Sequence, residues 1–377
     1  MRISFAGDGD FSSFSKLLKE IAKDRRVKSI LIVSCDENNY DTDSVNSLIS
    51  SIEKPLFGGI FPQIIYNSNK HSKGLLVVGV PYEITILEIP NLSHSEIALS
   101  DETQNTLENI PASGTMFVIV DGFARHISSL IDNLYYTMGL TINYIGGGAG
   151  SLSMQQKPCL YTNNGMVQDS AILAFSTIKS GIGVSHGWRP ISGPYKVTES
   201  YGNCIISLDW EPAYDVYRSV ISKYDDREIT VDTFFSICKS FPFGINKLEA
   251  EKIIRDPVRI NEKNEIVCVG EIPEGSLINI MHGDTESLLS ASNKAYAIAK
   301  DSFPGNIRPA AVLFIDCISR ALFLEDDFQK ELANVYTGDI PLFGALTLGE
   351  IANCGMDYLE FYNKTSVVGF LGNDADE

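Results

Sequence analysis

The sequence lacks an excess of positive charge: 30 lysines and arginines stand against 48 acidic residues, a formal charge of −18. A chain so charged repels phosphate backbones and anionic membrane surfaces, which argues against nucleic acid or lipid headgroups as partners. It also lacks any apolar run near the roughly 20 residues that a membrane helix needs. Its first ten residues hold one arginine and then acids, not the apolar core of a signal peptide, so a cytoplasmic location is expected. Seven cysteines (Cys35, Cys159, Cys204, Cys238, Cys268, Cys317 and Cys354) form no C-x-x-C pair, and their odd number argues against a disulfide framework. Reduced thiols packed as small hydrophobes are expected. With 377 residues the chain exceeds the roughly 250–300 at which one core stops growing, and two domains are expected.

What is present is a repeated unit. An apolar run ending in polar residues occurs at Ser29–Asp36, Met116–Arg125 and Ala311–Arg320, the pattern of a strand buried on both faces. A helical stretch follows each, clearest where Ile127, Leu130, Ile131, Leu134, Tyr135 and Met138 share one face. A second apolar step then enters small residues at Pro55–Ile60, Tyr144–Gly150 and Pro341–Leu346. A polar turn and a returning strand close the units over Tyr66–Val80, Tyr161–Phe175 and Phe361–Phe370, with Asn164-Gly165 as a hairpin signal. The fold class is therefore α/β, built of repeated strand-helix-strand units in mixed sheets, with a parallel pair across each helix. Residues 179–308 read as an insertion, with helices over 213–224 and 285–300. Its acidic, helical stretch Asp225–Asp232 is the expected domain boundary, giving domains 1–226 and 227–377.

Several residues invite chemistry. Asp121 with Arg125, and Asp316 with Arg320, share a spacing that allows an ion pair across a strand-to-helix turn, or a match to the two charges of an α-amino acid. The glycines around Gly147 and Gly148 miss the dinucleotide and P-loop fingerprints, because Ser151 replaces the third glycine and no Lys-Ser/Thr pair follows. Close backbone approach, or room for a ligand against that backbone, remains. Glu350 either faces a cleft or sits at a helix N-terminus. Trp188 and Arg189 are placed to line a domain junction, where pockets form. Cys317 beside Asp316 raises a nucleophile, against which stand its buried strand and the absence of a nearby histidine. His71 and His94 lie in polar turns, while His126, His186 and His282 are candidate metal ligands, each with a structural hydrogen bond or helix cap as the alternative.

Taken together, Val120-Asp-Gly, Tyr144–Gly150, Asn164–Asp169 and Gly183-Val-Ser-His-Gly-Trp-Arg-Pro190, followed by Phe314–Arg320, Gly344–Glu350 and Phe361–Thr365, resemble the FIST N and FIST C patterns in order. The resemblance implies a sensor of small ligands and not an enzyme, found alone or coupled to signalling outputs. No output domain is expected after Phe370, so the partner would be a separate histidine kinase or cyclic-dinucleotide enzyme. Two ligands are implied: an amino acid or similar metabolite, and haem in members that sense nitric oxide. Gly58–Gln63 resembles the haem-binding branch.

Overall fold

The computed structural model describes residues 1–94, 99–247, 251–353 and 358–373, so Cys354 lies outside the described residues. The first unit runs β1 (Arg2–Ala6), α1 (Phe11–Lys23), β2 (Ser29–Cys35), α2 (Thr42–Ile49), β3 (Leu56–Phe61), a hairpin of β4 (Gln63–Tyr66) and β5 (Asn69–His71), and β6 (Leu75–Val80). The second repeats that order: β7 (Thr85–Pro90), α3 (Asp101–Glu108), β8 (Thr115–Asp121), α4 (Ile127–Met138), β9 (Asn143–Ala149), a hairpin of β10 (Leu160–Thr162) and β11 (Gly165–Val167), and β12 (Ser170–Ser176). The third opens with β13 (Lys179–Ser185) and is then interrupted. The interruption holds β14 (Arg189–Tyr201), β15 (Cys204–Leu208), β16 (Glu211–Pro212), α5 (Ala213–Ile221), α6 (Phe234–Cys238), β17 (Phe243–Ile245), β18 (Ile253–Ile260), β19 (Ile266–Val269) and β20 (Leu277–His282). The third unit resumes with α7 (Thr285–Ser302), β21 (Arg308–Cys317), α8 (Ile318–Leu324), α9 (Phe328–Val335), β22 (Leu342–Thr347), a hairpin of β23 (Glu350–Ala352) and β24 (Glu360–Tyr362), and β25 (Ser366–Asn373).

Each unit founds a six-stranded sheet, ordered β1-β6-β2-β3-β10-β11, β7-β12-β8-β9-β23-β24 and β13-β25-β21-β22-β4-β5. The pairs β2–β3, β8–β9 and β21–β22 are parallel, as the crossover rule requires. The returning strand stays in its own sheet, but the hairpin does not. The first unit's hairpin joins the third sheet, the third's joins the second, and the second's joins the first. This cyclic exchange ties the three units into one body. Asn163 and Asn164 form the β10–β11 turn, one residue ahead of the Asn-Gly signal, with Gly165 opening β11.

The registers are equivalent in all three sheets. Ile32 pairs with Gly58, Val118 with Gly146 and Phe314 with Gly344. A Cβ on these glycines would lie 1.9, 1.8 and 1.8 Å from the carbonyl oxygen of its partner, so no side chain is tolerated. Opposite the same glycines, the exchanged hairpins place Tyr161, Ile351 and Ile65. Outward faces are covered by helices, with Leu130 and Leu134 of α4 on Val118, and Phe328 and Leu332 of α9 on Phe314. Inward faces such as Phe117, Ile119, Leu313 and Ile315 join one shared core with the first unit.

The insertion is narrower than 179–308, because β13 and α7 belong to the third unit and only β14–β20 lie outside it. Its strands run β14-β20-β17-β18-β19-β15-β16, and β14 also pairs with β15, which closes an antiparallel barrel around Val197, Tyr217, Phe234 and Phe243. The helices come close to expectation, α5 ending at Ile221 and α7 at Ser302. The acidic stretch after α5 is irregular instead of helical. There the Asp225 carboxylate takes the Arg227 backbone N–H and guanidinium, a local bond that competes with helix formation. The 226/227 division falls in that turn. Among the described residues no helix is long and apolar enough to cross a membrane, and all six described cysteines are free thiols.

Gly146→Ala is expected to destabilise the protein by about 3 kcal/mol or to prevent folding. Gly305→Ala, where an added Cβ meets nothing within 4 Å, serves as the neutral control in the same denaturant melts.

Candidate functional site

The chain passes twice between body and barrel, outward through His186–Trp188 and back through Gly283 and Asp284. At this double crossing lies a cleft of about 260 Å3, lined by Ser185, His186, Gly187, Trp188, Arg189, Glu251, Ser287, Ser290, Ala291 and Lys294. Helix α7 supplies one wall through the i, i+3, i+4, i+7 row that begins at Ser287. Its start is fixed by a capping box, the Asp284 carboxylate accepting from the Ser287 N–H at 2.7 Å. Gly187 has φ +81°, and a Cβ there would meet the Ser287 carbonyl at 2.4 Å, so the outward strand can run directly against the helix.

The polar floor is a chain of three side chains. His186 is buried; its Nδ1 accepts from the Trp188 N–H at 2.9 Å, and its Nε2 lies 2.9 Å from Glu251 Oε2. Glu251 Oε1 is 2.9 Å from Lys294 Nζ. The His186 hydrogen bond, ahead of the Lys294 contact, holds the Glu251 carboxyl down at about 2 despite its burial. With Nδ1 committed to a backbone donor and Nε2 to Glu251, the imidazole has no nitrogen left to activate Ser185, Ser287 or Ser290, so the serine–histidine–acid arrangement of a hydrolase is not formed. Arg189 is exposed at the rim, and Trp188 is buried, its Nε1 donating to the Lys364 carbonyl at 3.1 Å.

Behind the cleft lies Arg320, fully buried. Its guanidinium donates to the carbonyls of His186 at 2.8 Å and Leu288 at 3.0 Å, gripping both walls, while Asp316 at 3.0 Å and Glu331 balance its charge. The predicted Asp316–Arg320 pair therefore forms. The Asp121–Arg125 pair does not: Arg125 is exposed, and the Asp121 carboxylate accepts from the backbone N–H groups of Phe123 (3.0 Å) and Asp169 (2.7 Å) and from Gln156 (2.7 Å). The glycine register explains the difference. Counting from Val118 and Phe314, Asp316 is equivalent to Val120 and Cys317 to Asp121. The two aspartates thus lie one residue out of step and face opposite sides of their sheets.

Other expected site residues lie elsewhere. Gly147 and Gly148 sit within β9, where the Gly148 N–H is spent on the Gly349 carbonyl at 2.8 Å, so they form no anion cradle. Glu350 faces neither cleft nor helix: it is fully buried on β23, accepting from the Thr347 hydroxyl (2.9 Å) and the Thr365 N–H (3.2 Å). Burial pushes its carboxyl up to about 8. Cys317 is buried beside it, and burial raises its thiol well above the ordinary value, the reverse of what a nucleophile needs. His126 lies 3.5 Å from Glu271 at the start of α4, and His282 stacks on Phe241 at 4.9 Å with Nδ1 on the Ser240 carbonyl. The helix cap after His282 is Asp284. Haem iron needs a free imidazole nitrogen facing an apolar slot. The three histidines lie in separate places, and His186, with both ring nitrogens engaged in a small and charged cleft, does not fit haem, whereas His126 and His282 are engaged through Nδ1.

Fold and cleft define an α/β body of three units with a barrel inserted beside the cleft. The chain belongs to the FIST family: the FIST N domain matches residues 29–211 and the FIST C domain residues 213–353. FIST domains are sensory, non-catalytic domains of signal transduction that take small ligands. A relative in Methanocaldococcus jannaschii, uncharacterized protein MJ1623, is 23% identical over 258 residues, which cover 62% of this chain. The match spans about half (49%) of that relative's length.

Two outcomes are expected. Arg320→Ala leaves Asp316 and Glu331 buried without a counter-charge and should cost about 3–5 kcal/mol in denaturant melts. Glu350 favours its protonated form in the folded state, so its contribution is complete below the ordinary glutamate value of 4.5 and fades as pH rises through about 8. Glu350→Gln should therefore flatten the loss of stability between those pH values, read as denaturant midpoints along a pH series.

Proposed function

We propose that this protein senses a small polar metabolite with an anionic group, bound in the cleft between body and barrel, and reports it to a separate signalling protein such as a histidine kinase. The observation that carries the proposal is the position of the cleft at both chain crossings, where a ligand touches β13 and α7 of the body together with Arg189 and Glu251 of the barrel. A ligand shifts a partner only through different affinities for two arrangements, and a site shared by two parts supplies such a difference.

The lining favours the charge class. Arg189 and Lys294 outnumber the single carboxylate of Glu251, while Ser287 and Ser290 add hydroxyls. An α-amino acid would set its carboxylate against Lys294 and Arg189 and its ammonium against Glu251. The volume of about 260 Å3 sits just below the roughly 300–1,000 Å3 of drug-sized pockets, which suits a molecule of that size. Arg320 links the site to the third unit, since movement of the His186 or Leu288 carbonyl must disturb the buried Asp316 and Glu331.

A thermal-shift panel of amino acids and small carboxylates tests this. A compound at 100 times its Kd should add about 2.7 kcal/mol of stability to the wild type. Lys294→Ala and Arg189→Ala should lose the shift while keeping the unliganded melting temperature. No shift with any compound, or an equal shift in both variants, would remove the cleft as the sensing site.

A further inference from the structure

The three inward sheet faces meet around a second, chemically different space. A cavity of about 30 Å3 lies where the sheets converge, lined by Leu31 and Val33 of β2, Phe117 and Ile119 of β8, and Leu313 and Ile315 of β21. These are equivalent positions, one residue before and one after Ile32, Val118 and Phe314 in the shared register. The second strands complete the wall, partly with Gly147 and Ala345, again one position past Gly146 and Gly344. The space exists because those two positions are small while the first unit fills its side with Phe57 and Phe61.

We propose that this cavity is a binding site for an uncharged apolar molecule of one or two heavy atoms, such as a diatomic gas. Water does not suit it. A buried water occupies about 10–15 Å3 on this measure but needs two to four polar partners. Here the lining side chains are hydrocarbon, and the strands behind them spend their amides on one another in the β2–β3, β8–β9 and β21–β22 ladders. An apolar guest restores the dispersion contacts that the surrounding atoms lack, without a desolvation cost. Two water-sized volumes match a diatomic molecule or a xenon atom and are too small for the metabolite of the outer cleft, so the two sites take different ligands. Because each unit contributes two first-strand residues, occupancy bears on how all three pack.

Xenon is the probe. Crystals of the full chain pressurised with xenon should show it in contact with Val33, Ile119 and Ile315, and pressurised crystals with no xenon there would overturn the proposal. In solution, dissolved paramagnetic oxygen should relax the methyl resonances of those three residues several-fold faster than those of Leu130 under α4 or Ile205 in the barrel; equal relaxation would also overturn it. Ala345→Val puts two methyl groups into the space and should abolish both signals. A folded Ala345→Val protein that keeps both would place the guest elsewhere. Should that variant fail to fold, the wild-type experiments decide alone.

Discussion

The structure rests on a close approach of backbones that only glycine permits. In each unit the second parallel strand brings Gly58, Gly146 or Gly344 onto the carbonyl of its neighbour, with no room for even a methyl group. Because that contact recurs at the same register, the three sheets share one geometry and can offer equivalent inward faces to a common core. The exchanged hairpins use the same register, pairing opposite those glycines. Local steric permission and global architecture are here a single fact.

On that body, the candidate site lies where symmetry is broken. The third unit alone admits a barrel between its edge strand and its first helix, and the seam so produced holds the charged cleft. Several buried charges, though not Asp121, gather on the same side. Arg320 holds the two walls, Lys364 pairs with Asp256 of the barrel at 3.1 Å and lies over the Trp188 ring, and Arg255 donates to the Phe361 carbonyl at 2.9 Å. Buried pairs are a weak source of stability but fix a unique arrangement of the parts they join. Body and barrel are thus joined by directional bonds as well as by an apolar cluster in which Ile254 and Met281 of the barrel lie with Leu288 and Ile318 of the body.

Much of this was legible in the sequence. The apolar runs located β2, β8 and β21, the 3.6-residue spacing located α4, and the small-residue steps located β3, β9 and β22. What could not be read was which sheet each hairpin would join, because alternation fixes a strand's faces but not its neighbour. The paired Asp-x-x-x-Arg pattern misled for a related reason. Aligning the copies on aspartate slides one by a residue, and a one-residue slip exchanges inside for outside; aligning them on Gly146 and Gly344 gives the true correspondence. In the cleft, His186, Trp188 and Arg189 were identified, whereas Glu251 and Lys294 were missed. For Lys294 a signal existed, since it shares a helical face with Ser287, Ser290 and Ala291. Glu251 comes from the barrel and meets His186 only through tertiary folding.

The circular trade of hairpins also bears on how the chain acquires its shape. The second sheet borrows strands from residues 350–362, so a nascent polypeptide that has emerged only as far as the barrel still carries β9 with an unclaimed edge. The third sheet, conversely, waits for β21 and β22 to receive the β4–β5 hairpin, made far earlier along the chain. Such long-range closure carries a large loop entropy and slows assembly. Completion of the body is thereby deferred until β23 and β24 have emerged, and until then exposed strand edges depend on protection from aggregation.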